Sequence, residues 1–320
     1  MVWIMDDQSP HPRRRRTDSA TPHTPKHAEQ ISGDSGGVPE KPHAERTQTI
    51  AIALGSGGAR GLSHILVLEA LDELGIKPVA IAGASIGALI GAVYASGVPA
   101  KDIHALAAGL LRNRGEIMRR LLAARIGRIS DLFGGLGNPV MLDAERFVGS
   151  FMPDLVPEDF EQLEIPLQVV ATDYWERREK MFDHGPIRPA VAASLAIPGL
   201  IRPVAHHGHT LVDGGAVNPL PFDLLRTKAD IVLAVDITGG HSGKSNERGV
   251  PGPFEAMFAT LQIMASSVVG EKLKSGAPDI LIRPNVDAFR VLDFFRATAI
   301  LKAAEPVKDE VKRRLEAVLG

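Results

Sequence analysis

Beyond residue 48, short unbroken apolar runs alternate with longer segments in which apolar residues recur at helical spacing. The run at 49–54 precedes a helical pattern at 62–75, and the run at 79–83 precedes one at 86–97. Further strands are predicted at 167–172, 180–184, 210–213, 230–237 and 279–284, and further helices near 101–112, 115–125, 143–151, 186–195, 254–273 and 292–318. Such alternation is typical of parallel sheets covered on both faces. The pattern predicts an α/β fold, a three-layer α/β/α sandwich with a largely parallel central sheet.

The first 48 residues follow a different pattern. They are rich in Pro, Ser, Thr, His and charge, and they lack apolar periodicity, so they cannot bury enough apolar surface to offset their chain entropy. We predict a disordered tail over 1–48 and a domain over 49–320, with a C-terminal helical part from about 254. Polar residues and prolines follow the basic run at 13–16, where an export signal needs an apolar stretch. This run indicates a solvated basic cluster.

Charge and cysteine content exclude several classes of protein. Lys and Arg total 36 and Asp and Glu total 38, a net charge of −2, which gives no electrostatic footprint for nucleic acid. The absence of cysteine excludes disulfide scaffolds, Cys-ligated metals and thiol nucleophiles. Residues 79–98 are uncharged for long enough to cross a bilayer, but mostly Ala, Gly and Ser, which indicates a buried strand, turn and helix. We therefore expect a soluble, cytoplasmic protein without a nucleic-acid partner.

A candidate nucleophile lies between the second predicted strand and its helix. Gly83-Ala84-Ser85-Ile86-Gly87 fits the pattern G-x-S-x-G in the strand–turn–helix context that gives this pattern its mechanical meaning. The glycines leave room for a sharp turn, and the start of the helix favours negative charge beside the serine. The alternative is a buried packing turn made of small residues.

The glycine-rich loop after the first strand is a candidate anion site, because its backbone N–H groups precede a helix. A dinucleotide fingerprint counted from Gly55 requires glycine at Arg60, and no Gly-Lys-Ser/Thr follows for a P-loop. A transient oxyanion remains. Adjacent parallel strands place this loop and the Ser85 turn at the same edge of the sheet, a geometry that suits an oxyanion hole.

A third motif, Asp213-Gly214-Gly215, follows a short apolar strand. Because two flexible glycines follow it, the aspartate can turn its side chain into a cleft and act as a base for a serine nucleophile. A turn-forming Asp-Gly pair in a hairpin is the alternative.

Taken in order, these motifs resemble those of the patatin-like phospholipases, in particular bacterial members related to the neuropathy-target-esterase type. The blocks 171–173 and 190–204 also resemble the family, although Ser56 stands where its first loop usually has glycine. The resemblance implies a Ser–Asp dyad that hydrolyses fatty-acyl esters of phospholipids, lysophospholipids or related lipids, without histidine, metal or cofactor. It assigns these roles: Ser85 nucleophile; Asp213 base; Gly57, Gly58 and Ala59 oxyanion hole; Arg60 loop brace; Gly61, Gly83, Gly87, Gly214 and Gly215 motif support.

Other interpretations stay open. His206, His207 and His209 form HHGH, either a zinc site or an exposed hairpin turn, of which we favour the turn. A Ser–Asp–His esterase would need a late histidine, and the last in the chain is His241. For His64, at a helix start, a structural hydrogen bond is favoured over catalysis. A catalytically silent protein of the same fold has no chemical reason to keep Ser85, Asp213 and the glycine loop together.

The segment 112–128 carries six arginines against one glutamate, with apolar residues at helical spacing. Such a helix could dock weakly on anionic lipid or pack against the domain as an ordinary amphipathic helix.

Overall fold

The structure, a computed structural model, describes residues 48–125, 141–239 and 250–320. The predicted disordered tail therefore lies, apart from its last residue, outside the described residues. So does His241, and so does the end of the 112–128 segment.

In the described part of the chain, eight strands form one sheet, which is the middle layer. Its strands are β1 Ile50–Leu54, β2 Ala80–Ala84, β3 Leu167–Asp173, β4 Arg178–Phe182, β5 Val204–His206, β6 His209–Asp213, β7 Ile231–Val235 and β8 Ile280–Ile282. Across the sheet the neighbouring strands follow the order β5-β6-β3-β2-β1-β7-β8, and β4 pairs with β3. Strands β3, β2, β1, β7 and β8 run parallel, whereas β4 and β6 pair antiparallel with β3.

Helices cover both faces of the sheet. They are α1 Ser63–Glu73, α2 Ile86–Ala95, α3 Ala100–Arg112, α4 Arg114–Ala123, α5 Ala144–Phe151, α6 Ile187–Ser194, α7 Pro253–Ser275, α8 Ala297–Ala304 and α9 Val307–Leu319. Alternate residues of β1 enter two apolar clusters: Ile52 joins the one that includes α1 and α2, and Ala53 joins the one that includes Phe222 and α7. This two-sided burial confirms the three-layer α/β/α sandwich.

The predicted helical region 292–318, within which the apolar spacing gives a surface helix over 305–318, forms two helices. It divides into α8 and α9 at Pro306, which has no backbone N–H to continue the first helix. The helical spacing places Val311, Leu315 and Val318 inward; Val311 and Leu315 are buried, but Val318, in the last turn of α9, is 42% exposed.

The uncharged run 79–98 forms β2, a tight turn and α2, almost all of it buried, as predicted. Across the described residues, the helices all fall short of the length and apolarity that a bilayer-spanning segment requires.

Candidate active site

Ser85 occupies a sharp turn between β2 and α2. Its backbone has φ 55° and ψ −122°, a conformation that costs a non-glycine residue free energy and is found mainly at functional sites. Gly87 allows the turn to lie against β1, because a Cβ there would stand 2.1 Å from the Leu54 carbonyl oxygen. At Gly83 a Cβ would stand 2.6 Å from the Gly87 oxygen. Both glycines of the G-x-S-x-G pattern are thus required by close backbone approach.

The sheet register brings Asp213 to this turn. β2 runs along one edge of β3 and ends with Ala84 opposite Val170. β6 runs in the opposite direction and ends with Asp213 opposite Ala171, the next residue of β3. Because β4 occupies the other edge of β3 at these positions, β2 and β6 meet end to end. The Ser85 hydroxyl donates a hydrogen bond to Asp213 Oδ2 at 2.6 Å.

The Asp213 carboxylate is held from several sides. Its Oδ1 accepts a hydrogen bond from the Gly215 N–H at 2.7 Å. The backbone carbonyl of Asp213 accepts one from the Thr172 hydroxyl at 2.8 Å. Gly214 lies so close to β3 that a Cβ would stand 2.1 Å from the Val170 oxygen. Burial raises the pKa of Asp213 to about 6, and the hydrogen bonds from Ser85 and Gly215 oppose that rise.

The raised pKa gives the pH dependence expected of an acyl hydrolase in which Asp213 is the base. A base must be ionised to accept a proton, so kcat/KM should rise about tenfold per pH unit below about 6 and then level off. Steady-state kinetics on a soluble ester between pH 4.5 and 8.5 would measure this. The inflection should persist in His206→Asn, His207→Asn and His209→Asn variants. Activity that falls as the pH rises through 6 would contradict Asp213 as the base.

The glycine loop after β1 offers fewer donors than expected. The Ala59 N–H donates to the Val291 carbonyl at 2.7 Å, so the expectation that Ala59 binds an oxyanion is wrong for this conformation. Among the described residues, no acceptor takes the N–H of Gly57 or of Gly58. Gly58 has φ 60°, and a Cβ there would stand 2.3 Å from the Val291 oxygen. Gly57 and Gly58 are the remaining candidates.

Arg60 and Gly61 hold this loop in place. The buried Arg60 guanidinium donates to the Thr238 carbonyl at 3.0 Å and contacts the Gln262 side-chain amide oxygen. It therefore ties the loop to the segment after β7 and to α7, which fits the predicted bracing role. Gly61 packs against Ile86, the residue after Ser85.

His64 lies under the glycine loop that follows β1. Its Nε2 is 2.8 Å from the Gly55 carbonyl, and burial lowers its pKa to about 4, so the ring is neutral near pH 7 and donates. This is the structural hydrogen bond that we predicted.

The HHGH motif forms the turn of the β5–β6 hairpin, with positive φ at His207 and Gly208, which is the favoured interpretation. His209 Nδ1 lies 2.5 Å from Asp173, and together with Glu176 these groups are close enough to hold a metal ion. However, Asp173 also accepts two backbone N–H groups, and Glu176 pairs with Arg178. These contacts connect the β3–β4 hairpin to the β5–β6 hairpin, which is a structural role.

A cavity of about 1560 Å³ reaches the candidate nucleophile. Its walls come from α2 to α5, from the chain around 195–201 and from residues 292–295, and most of the lining side chains are apolar. Ser85 and Gly58 are part of the lining. The hydroxyl and the glycine loop thus border a space suited to a long apolar group.

Sequence reasoning missed two hydroxyl residues that hold Ser85 and Asp213 in place. The Ser194 hydroxyl, at the end of α6, accepts from the Ser85 N–H at 2.8 Å and donates to the Val170 carbonyl at 2.5 Å. Thr172 holds the backbone of Asp213. Both belong to blocks that resemble the family, which is the only signal that could have singled them out. Since the Ser85 N–H is occupied, it is not free for an oxyanion.

Removing the Ser194 hydroxyl should lower turnover more than substrate binding. Ser194→Ala leaves the buried Ser85 N–H without its acceptor, at a cost of about 1–3 kcal/mol, in the strained turn that aims the nucleophile. We expect kcat to fall about ten- to hundredfold with little change in KM. The control is Ser266→Ala, which removes a part-buried hydroxyl bonded to the Gly239 carbonyl. Equal, small effects in both variants would show that Ser194 does not position Ser85.

The fold and the site define a class of protein: an α/β/α sandwich in which a serine on a tight strand–helix turn donates a hydrogen bond to a buried aspartate. Residues 52–226 match the family model of the patatin-like phospholipases, and the chain belongs to that family.

Relatives and solved structures show how far the similarity extends. An uncharacterised NTE family protein of Mycobacterium bovis is 37% identical over 62% of this chain and 51% of the relative. Lysophospholipase NTE1 of Kluyveromyces lactis is 28% identical over 77% of this chain and 18% of its own length. The crystal structure of VipD from Legionella pneumophila matches 85% of this chain and 67% of that chain with a TM-score of 0.48 and 15% identity. The chain thus spans about half the length of the mycobacterial relative.

Proposed function

We propose that this chain is a serine acyl hydrolase that cleaves fatty-acyl esters of phospholipids, lysophospholipids or related lipids. The observation that carries the proposal is the 2.6 Å hydrogen bond from the Ser85 hydroxyl to Asp213, at the wall of the apolar cavity. The family to which the chain belongs, and the name of its yeast relative, support a lipid ester as the substrate.

In the first half of the reaction, Ser85 Oγ attacks the ester carbonyl while its proton passes to Asp213 Oδ2. The carbonyl oxygen becomes an oxyanion beside the N–H groups of Gly57 and Gly58. When the tetrahedral intermediate collapses, the alcohol leaves with the proton from Asp213, and the acyl group remains on Ser85. Burial makes Asp213 a stronger base than an ordinary carboxylate, so the proposed mechanism does not require a histidine.

In the second half, Asp213 accepts a proton from water, whose oxygen attacks the acyl-enzyme. Collapse of this second intermediate returns the proton to Ser85 Oγ and releases the fatty acid. The apolar cavity holds the acyl chain during both halves.

We also propose weak peripheral membrane contact through residues 112–128, of which 126–128 lie outside the described residues. In α4, Met118 and Leu122 are 49% and 57% exposed. Arg119 and Arg120 both pair with Glu116, so the positive charge that α4 presents is smaller than the sequence suggests. We therefore expect this contact to be weak.

Labelling with a fluorophosphonate probe, followed by hydrolysis of p-nitrophenyl esters of graded chain length, tests the enzymatic proposal. We expect the probe to modify Ser85 and longer acyl chains to be favoured. EDTA should leave the rate unchanged, because the dyad and the backbone N–H groups supply all the chemistry. Absence of labelling and of hydrolysis would favour the silent protein, and loss of labelling in a His241→Asn variant would favour a Ser–Asp–His esterase.

A further inference from the structure

Three leucines that line the cavity reaching Ser85 are also exposed to solvent, which places them where the cavity opens. Leu106 on α3, Leu155 after α5 and Leu292 before α8 are 48%, 67% and 39% exposed, and all three line the cavity. We call these three leucines the rim. They come from distant parts of the chain, so a local amphipathic pattern does not explain why they gather at one opening. Exposed apolar side chains that continue into an apolar cavity form a surface that favours an apolar partner.

Charges near the rim indicate which surface it fits. The exposed Asp102 and Asp154 also line the cavity. Arg120, the arginine in the lining, pairs with Glu116. Asp154 also pairs with Arg188 at 3.5 Å. Among the described residues that line the cavity, there is therefore no excess of positive charge for an anionic surface. Contact through leucines among carboxylates favours a lipid surface without net charge.

From these observations we infer that the rim docks on a zwitterionic lipid surface such as phosphatidylcholine. The inference rests on the proposed function, since a lipid surface is where a long-chain ester is found. With the rim inserted at the boundary between headgroups and chains, an acyl chain passes from the bilayer into the cavity without exposure to water. The binding follows the hydrophobic effect, so it persists at high salt, whereas docking through arginines weakens as salt screens the charges.

Binding can be measured without hydrolysis in a Ser85→Ala background, by co-sedimentation with phosphatidylcholine vesicles. The rim variant is Leu106→Ser with Leu155→Ser. The matched control is Ile263→Ser with Met264→Ser on α7, since these side chains are 65% and 59% exposed and do not line the cavity. We expect the partition coefficient to fall about tenfold or more in the rim variant, because each buried CH₂ group contributes a factor of about four, and to stay unchanged in the control.

Equal losses in the rim variant and the control would overturn the inference, and so would binding that requires phosphatidylglycerol and disappears at high salt. The latter result, combined with loss of binding in Arg119→Gln, would assign docking to α4 instead. The enzymatic proposal is tested separately on the Ser85 protein with a soluble ester. Rim-dependent binding without any hydrolysis would refute the enzymatic proposal alone, and hydrolysis without rim-dependent binding would refute the docking inference alone.

Discussion

Ser85→Ala should abolish both fluorophosphonate labelling and ester hydrolysis, and Asp213→Asn should reduce hydrolysis by a similar factor. Each residue needs the other, because the hydroxyl is activated only through its 2.6 Å hydrogen bond to the carboxylate. We expect losses of at least about a thousandfold in kcat, and a double variant hardly worse than either single one. Initial rates on a p-nitrophenyl ester would measure this. Near-normal turnover in either variant would contradict the dyad.

The stability of Asp213→Asn separates lost chemistry from lost structure. The folded state raises the pKa of Asp213 to about 6, above the value in an unfolded chain, so it binds the proton more tightly. The stability contributed by the neutral acid is present below pH 4 and is lost as the pH rises to about 6. Asparagine cannot ionise, and we expect Asp213→Asn to be about 1–3 kcal/mol more stable than the parent at pH 8. Urea unfolding at pH 4 and pH 8 would measure this difference. If the variant is less stable than the parent at pH 8, its loss of activity is due to unfolding.

Gly87→Ala should disrupt the nucleophile turn. The added Cβ would stand 2.1 Å from the oxygen and 2.6 Å from the carbon of the Leu54 carbonyl, so the start of α2 must move away from β1. The three nearest atoms all belong to the backbone of Leu54 and Gly55, so no flexible side chain can give way. We expect a destabilisation of about 3 kcal/mol or more and a loss of activity in any folded fraction. Urea unfolding and probe labelling would measure the two effects.

Gly91→Ala is the matched control, because it places the same methyl group one turn further along α2. Its closest neighbour there is a side-chain carbon of Ile81 at 3.3 Å, which can shift slightly. Alanine also has a higher helix propensity than glycine, by about 1 kcal/mol. This variant should be neutral or slightly stabilising and fully active. Similar losses in both variants would show that the close approach at Gly87 does not shape the site.

Which N–H groups of the glycine loop remain available depends on contacts that local sequence patterns do not reveal. The glycines after β1 predict a loop of N–H donors beside the Ser85 turn, and in the described residues only Gly57 and Gly58 of its glycine and alanine N–H groups keep no acceptor. The sequence gives no sign that Val291, far along the chain, accepts from Ala59, because that bond depends on how the segment before α8 crosses the loop. The same limit applies to Ser194, whose partner Ser85 is 109 residues away. Hydrogen bonds between distant segments have no periodicity in the sequence.

By itself, the sequence determined the layers of the fold and the position of each candidate motif. Strand and helix periodicities and tight-turn glycines are local properties of the chain, and they set β1, β2, α2 and the Ser85 turn without reference to other segments. Only the tertiary structure decided that Ser85 and Asp213, 128 residues apart, form a hydrogen bond. That contact exists because β2 and β6 end against each other on one edge of β3, a register set by the packing of the whole sheet. The rim leucines likewise come together only when α3, the chain after α5 and the segment before α8 enclose one cavity.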